Sequence, residues 1–238
     1  MNTALVVIPT YNEAPNIQSL VEELLKVPSV DILVADDRSP DGTADIVNAL
    51  HGQHGDRVGL VSQDRKGGRG AAVLGGFRVG ISRGMYELFV EMDADHSHLP
   101  YELPTLLSAA QGADVVIGSR YLPGGTIVGW SWQRRAWSKM SNQLINAFLH
   151  LPVTDYTNGF RVYSRQAVET LLATTLLERG YISLSEWAEV LHSEGHTFAN
   201  VPTTFINRRY GKSKMSVSEA VGALRGLIRL RRRRGQPA

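Results

Sequence analysis

The chain has 238 residues, 43% apolar and 20% charged, with no cysteine; 25 Lys and Arg against 23 Asp and Glu give a net charge of +2. This is a globular composition, long enough for one domain with its own core. It excludes disulfides, zinc–thiolate sites, iron–sulfur clusters and thiol nucleophiles, and with no long apolar run neither a membrane span nor a signal peptide is expected.

Apolar, β-branched runs at Leu5–Pro9, Asp31–Asp36, Val58–Gln63, Leu88–Asp93 and Val115–Ser119 read as strands buried on both faces of a parallel sheet. Between them Glu13–Lys26, Gly42–Gln53, Gly70–Arg83 and Pro100–Gln111 have helical length and period. Such alternation predicts βαβ units and an α/β fold with a mainly parallel central sheet and flanking helices. Further on, Trp130–Leu151 reads as a long helix, apolar at Trp137, Met140, Leu144, Ile145, Phe148 and Leu149. Gly159–Tyr163 and Thr197–Ile206 read as short strands, and Ser183–Glu194 as a helix. Met215–Arg234 is an amphipathic helix that ends in arginines.

Charge is unevenly distributed. The last fourteen residues carry Arg225, Arg229, Arg231, Arg232, Arg233 and Arg234 and no acid, which leaves the rest of the chain at −4. A basic amphipathic end on an acidic body points to an anionic membrane surface as partner. The acidic body, with no basic stripe interleaved with aromatics, argues against nucleic acid.

In open α/β sheets ligands bind beyond the carboxyl ends of the strands. Glu13 follows the first strand, Asp36 and Asp37 close the second, and Asp93-Ala94-Asp95 follows the fourth. Helix caps and turns explain Ser39, Asp41 and Gly42 but not that many carboxylates, whose repulsion a divalent cation would relieve. In an extended segment Asp93 and Asp95 point to one side. Their oxygens suit a hard cation, Mg²⁺ or Mn²⁺, which keeps waters and bridges substrate phosphates. His96 and His98 are read as packing or solvent groups. Arg65-Lys66-Gly67-Gly68-Arg69-Gly70, ahead of a small-residue helix, reads equally as a phosphate cradle or as turn geometry.

Together these motifs resemble the polyprenol (dolichol) phosphate mannose synthases, family 2 glycosyltransferases of GT-A type. The blocks are Pro9-Thr10-Tyr11-Asn12-Glu13, Asp36-Asp37-Arg38-Ser39-Pro40-Asp41-Gly42-Thr43, Met92-Asp93-Ala94-Asp95-His96-Ser97-His98 and Gly118-Ser119-Arg120-Tyr121. Asp155-Tyr156-Thr157-Asn158-Gly159-Phe160-Arg161 and Arg208-Arg209-Tyr210-Gly211-Lys212-Ser213-Lys214 complete the set. The resemblance implies a metal-dependent, inverting transfer of mannose from GDP-mannose to a polyprenyl phosphate, with a UDP-glucose-dependent synthase as the alternative. It implies Pro9, Tyr11, Glu13, Ala35 and Asp37 at the nucleoside end of the donor, and Asp93, Ala94, Asp95 and Ser97 at the metal and diphosphate. Arg208 and Lys214 would touch the donor phosphates, while Arg120, Arg134 and Ser138 would receive the acceptor phosphate. Asp93, Asp95, Arg120 and Arg134 would be catalytic.

One domain over 1–238 is expected: a nucleotide-sugar and metal half at 1–122, an acceptor half at 123–214 and the basic helix at 215–238. Such a protein would sit at the cytoplasmic face of the membrane as a peripheral enzyme. Arg69 stands where the family usually has leucine, Asn158 replaces a common serine, Asn207 a common aspartate and His96 an apolar residue. Ser183-Leu184 replaces a frequent Phe-Gln ahead of Glu186.

Overall fold

A computed structural model describes residues 4–63, 66–176, 182–207 and 226. The strands are β1 (Ala4–Thr10), β2 (Val30–Asp36), β3 (Val58–Ser62), β4 (Leu88–Glu91), β5 (Val115–Ser119), β6 (Thr126–Val128), β7 (Arg161–Ser164), β8 (Phe198–Pro202) and β9 (Thr204–Ile206). The helices are α1 (Ala14–Leu24), α2 (Thr43–His54), α3 (Arg69–Arg83), α4 (Leu103–Ala109), α5 (Trp132–Leu149), α6 (Arg165–Ala173) and α7 (Ser183–Ser193). Seven strands form one sheet in the order β3-β2-β1-β4-β7-β5-β8, and β6 pairs with β9 beside it. Among the described strands of the large sheet only β7, which lies between β4 and β5, is antiparallel. Its insertion joins the first half of the chain to the second.

Both faces of the sheet are covered, which is why its strands read as unbroken apolar runs. Along β1, Leu5 and Val7 face a core completed by Ala72 and Phe77 of α3, Ile145 and Leu149 of α5, and Trp187 of α7. Ala4, Val6 and Ile8 face the opposite core with Ile17, Leu20 and Leu24 of α1 and Leu103 of α4. Close packing sets the composition of α3. A Cβ at Gly76 would overlap Val7, so only glycine lets this helix settle on β1.

The structure revises several expected boundaries. The fourth strand stops at Glu91, two residues early, and releases Asp93 into a loop. Pro100–Gln111 is a 3-10 turn at Pro100–Glu102 followed by α4. Thr197–Ile206 breaks at Thr203, whose N–H donates to the Ser119 carbonyl while its own carbonyl accepts from Thr126. That kink sends β9 away from the sheet to pair with β6. Both β6 and α6 were not expected. The basic segment 215–238, apart from Gly226, lies outside the described residues, as do Arg208 and Lys214. No helix among the described residues is long and apolar enough to cross a membrane.

Candidate active site

The carboxyl ends of β1, β2 and β4 lie side by side, as the parallel pairing of β1 with both neighbours requires. The backbone is unusual there. Asn12, Arg38 and His96, each just beyond one of these strands, have φ of 63°, 64° and 57°, a region non-glycine residues seldom occupy. Backbone of this kind clusters at ligand sites, where the surrounding structure holds it.

The acids after β2 are held by hydrogen bonds within the protein. Asp36 accepts from the Thr10 hydroxyl at 2.7 Å, the Ser39 hydroxyl at 2.5 Å and the Ser39 N–H at 2.8 Å. Asp37 accepts from the N–H groups of Gly67 and Gly68 at 2.8 and 3.0 Å, so it anchors the glycine-rich loop. Asp41 ties the starts of α1 and α2 together by accepting from the N–H of Ala14 and from both N–H and hydroxyl of Thr43. Glu13 accepts from the Asn16 amide at 2.7 Å. Tyr11 is half exposed, and the Lys66 ammonium lies 3.4 Å from its ring centre. Pro9 lies in β1 at the mouth, whereas Ala35 is fully buried against the α3 side of the sheet.

The loop after β4 has a different character. His98 is buried and stacks on Phe160, with ring centres 5.1 Å apart. Its Nδ1 accepts from the Asp93 N–H at 3.2 Å, which leaves the proton on Nε2, 2.8 Å from Asn158 Oδ1. His98 is thus a brace for the loop, and His96 lies 2.9 Å from the Ser19 hydroxyl. Asp95 accepts from the Ser97 N–H, and the buried Ser97 hydroxyl has no hydrogen-bond partner among the described residues. The described residues hold no cluster of three or more His, Asp or Glu groups able to cage a metal. Two carboxylates and an orphaned hydroxyl instead fit a hard cation that takes its remaining ligands from water and substrate phosphates.

Arg69 was not expected in this site. From the first turn of α3 its Nε and Nη2 reach Asp93 Oδ1 at 2.8 and 2.7 Å, and its Nη1 binds Glu91. The Glu91 side chain is fully buried and also accepts from the Tyr163 hydroxyl. Burial opposes the arginine's charge, but Asp93 and Glu91 hold its pKa above the ordinary arginine range. A Cβ at Gly159 would run into this guanidinium. The visible signal was an arginine between glycines in a loop that follows a strand.

A second cluster lies beyond β5. Arg120 is buried and gives Nε and Nη2 to the two oxygens of Asp155 at 2.7 and 2.8 Å, with Nη2 also 2.7 Å from the Thr157 hydroxyl. Burial disfavours its charge, and Asp155, with help from Asp93, outweighs that and raises its pKa. Its guanidinium lies 5.3–5.6 Å from the ring centres of Tyr121, Trp130 and Phe205. Arg134 stacks on the same Trp130 at 3.9 Å and donates to Asn207 Oδ1 at 3.1 Å. Ser138, one turn further along α5, accepts from the Tyr121 hydroxyl at 2.7 Å. The structure therefore brings Arg120, Arg134 and Ser138 together around Trp130 and Tyr121. Sequence reasoning missed Trp130 and Phe205 as the aromatic bed of this cluster and Asp155 as its clamp.

Residues 5–172 match the family model described as glycosyl transferase family 2. The polyprenol monophosphomannose synthase of Mycolicibacterium smegmatis is 43% identical over 216 residues, which span 90% of this chain and 81% of that protein. The undecaprenyl-phosphate mannosyltransferase of Micrococcus luteus is 39% identical over 221 residues, 91% of this chain and 90% of the relative. Among solved structures, glucosyl-3-phosphoglycerate synthase from Mycobacterium tuberculosis with Mn²⁺, UDP and glucosyl-3-phosphoglycerate superposes on 100% of this chain and 81% of that one, at TM-score 0.71 and 18% identity. A mannosyltransferase from Pyrobaculum calidifontis with GDP-Man and Mn²⁺ covers 99% of this chain and 64% of its own, at TM-score 0.67 and 17% identity. The architecture is thus the GT-A fold, and the chain is an enzyme of glycosyl transferase family 2, within its polyprenol phosphate mannose synthases.

Proposed function

We propose that this chain moves mannose from GDP-mannose to the phosphate of a polyprenyl phosphate, inverting the anomeric carbon. The observation that carries the reading is the meeting of two anion sites. His98, which accepts from the Asp93 N–H, packs edge-on against Phe205 at 5.8 Å, and the Arg120 guanidinium lies 5.3 Å from that same ring, so the Asp93 loop and the Arg120 cluster share Phe205. A donor diphosphate on one side and an acceptor phosphate on the other would share that boundary. Arg120 Nη1 has no hydrogen-bond partner among the described residues and remains available to a phosphate oxygen.

The acceptor phosphate is an anion at neutral pH, so no side chain has to remove a proton from it. This agrees with His98, whose two ring nitrogens are both engaged, one by the Asp93 N–H and the other by Asn158 Oδ1. A phosphate oxygen forms a bond to the anomeric carbon while the bond from that carbon to GDP breaks, and GDP leaves with the electron pair. The carbon has oxocarbenium character on the way. Asp93, Asp95 and Ser97 would hold Mg²⁺ or Mn²⁺, which supplies Lewis-acid charge at the departing diphosphate. Arg120 and Arg134 offset repulsion between the two phosphate groups and aim the nucleophile.

The membrane contact of this reading rests on α5. Trp132, Trp137, Met140 and Leu144 are 48–75% exposed, although Trp137, Met140 and Leu144 fit the apolar pattern of a packed helix. The exposed Arg135 and Lys139 share this helix. Exposed aromatic and aliphatic side chains with cations on one helix suit the interface of an anionic bilayer, and Arg134 and Ser138 would lie where the acceptor's head enters. The enzyme would thus be peripheral, at the cytoplasmic leaflet. The triple variant Trp137→Ser, Met140→Ser, Leu144→Ser should float with anionic liposomes about tenfold less than the parent, because each large apolar group loses a transfer term. It should still use a short acceptor in detergent. Equal flotation would remove α5 from the membrane contact.

The reaction is tested with purified protein, Mn²⁺ or Mg²⁺, a short polyprenyl phosphate and labelled GDP-mannose or UDP-glucose. Label should enter the lipid phase from GDP-mannose. Label from UDP-glucose alone would make the chain a glucose-phosphate lipid synthase, and label in neither case would overturn the reading.

A further inference from the structure

Arg69 links the glycine-rich loop to the Asp93 loop. Asp37 fixes the N–H groups of Gly67 and Gly68, the next residue is Arg69, and its guanidinium grips Asp93 Oδ1 through two nitrogens and the buried Glu91 through a third. The absence of a side chain at Gly159 makes room for it. A cation is therefore built against one of the two carboxylates that would bind the metal.

We infer that Arg69 shares Asp93 with the divalent metal and thereby makes metal binding depend on the nucleotide diphosphate. The inference rests on the metal reading given above. A metal that arrives alone meets a guanidinium charge 2.7 Å from one of its ligand oxygens, and Coulomb repulsion across that distance weakens its binding. A nucleotide diphosphate reverses the balance. Its oxygens complete the metal's shell, and its negative charge is attracted by Arg69 as well as by the metal. Arg69 thus disfavours the metal by itself and favours the metal together with the diphosphate. Such coupling is reciprocal: Mn²⁺ must tighten nucleotide binding by the same factor by which the nucleotide tightens Mn²⁺. A leucine at this position has no charge with which to do either.

The test is a titration of the full chain with Mn²⁺, following free Mn²⁺ by electron paramagnetic resonance, with and without GDP. Arg69→Leu should bind Mn²⁺ alone about tenfold more tightly than the parent, and its coupling to GDP should fall by about fivefold or more, within the usual range of such couplings. Because Arg69→Leu leaves the Glu91 carboxylate buried without its cation, Arg69→Leu with Glu91→Gln serves as a second variant. The same fall in coupling is expected there. Arg69→Lys keeps the charge and should keep most of the coupling. If Mn²⁺ binds but its coupling to GDP is unchanged in both Arg69→Leu variants, the inference fails and the metal reading stands. If no form of the protein binds Mn²⁺, with or without GDP, both fail together.

Discussion

Asp93→Asn and Asp95→Asn should each lower turnover by about 10²–10³, the loss typical when one preorganised charge at a transition state is removed. The two variants should differ in detail. Asp95→Asn removes charge from a side chain that accepts from the Ser97 N–H, at 3.1 Å. An amide oxygen can still accept that bond, so the loop should hold its shape. Asp93→Asn also removes one of the two acids on Arg69 and leaves Glu91 as the other. The arginine then has more charge to offer the diphosphate, so part of the lost metal attraction is replaced. Asp93→Asn should accordingly retain more GDP binding without metal than Asp95→Asn does. Both should melt within a few degrees of the parent, since Asp93 is partly exposed and neither side belongs to the two apolar cores. Steady-state rates with and without EDTA, beside GDP calorimetry, check this. Full activity in EDTA or in either variant would remove the metal from the reaction.

The nucleotide half was legible because its information is local. In β1, β2, β4 and β5 almost every residue is buried, so each strand stands out as an apolar run. The helices between them alternate a buried stripe with an exposed one, as α1 does with Ile17, Leu20, Val21 and Leu24. The antiparallel entry of β7 between β4 and β5 had no such signature, because which strands pair is decided by contacts far apart in the chain. Three-residue β6, with two of its residues exposed, carries no pattern to detect.

Site residues followed the same division. Asp93 and Asp95 were visible because they follow a strand that is easy to see. The Arg120–Asp155 pair spans 35 residues, and the bond from Arg134 to Asn207 spans 73, so motif reading could name those residues but not join them. Helix α5 shows another limit. Its apolar residues form two faces, Ile145 and Leu149 turned to the core and Trp137, Met140 and Leu144 turned outward. Hydrophobic periodicity adds both faces together and cannot say which one the protein covers. The hydrogen bonds that hold the acids after β2 were hidden for a related reason: their donors are hydroxyls and N–H groups of neighbouring segments, whose approach a sequence does not display.

Arg120→Ala should lower kcat/KM for the lipid phosphate by about 10², the scale of one lost charged donor at a reacting anion, while GDP-mannose binding changes by no more than a few-fold. The argument begins with the clamp. Asp155 is fully buried and takes Nε and one Nη of Arg120, which fixes the guanidinium plane and leaves Nη1 to point elsewhere. Tyr121, Trp130 and Phe205 surround that plane, so the arginine has little freedom to follow a misplaced ligand. Lysine offers no planar fork to Asp155, so Arg120→Lys should fail to restore acceptor use even though it restores the charge. Removing Arg120 also leaves Asp155 without its cation, and breaking a buried pair in this way costs about 3 kcal/mol or more. Backbone N–H groups of Arg120, Thr157 and Asn158 still donate to Asp155 and keep the loss near the lower end. Asp155→Asn separates positioning from stability. It keeps Oδ1 as an acceptor for the Thr157 and Asn158 N–H groups and loses the ionic grip together with the Oδ2 acceptor of the Arg120 N–H, so acceptor KM should rise while the donor isotherm stays put. Calorimetry with GDP-mannose, set against kinetics with a short polyprenyl phosphate, reads the two sides independently. Loss of donor binding in a folded Arg120→Ala protein would move this arginine from the acceptor phosphate to the donor.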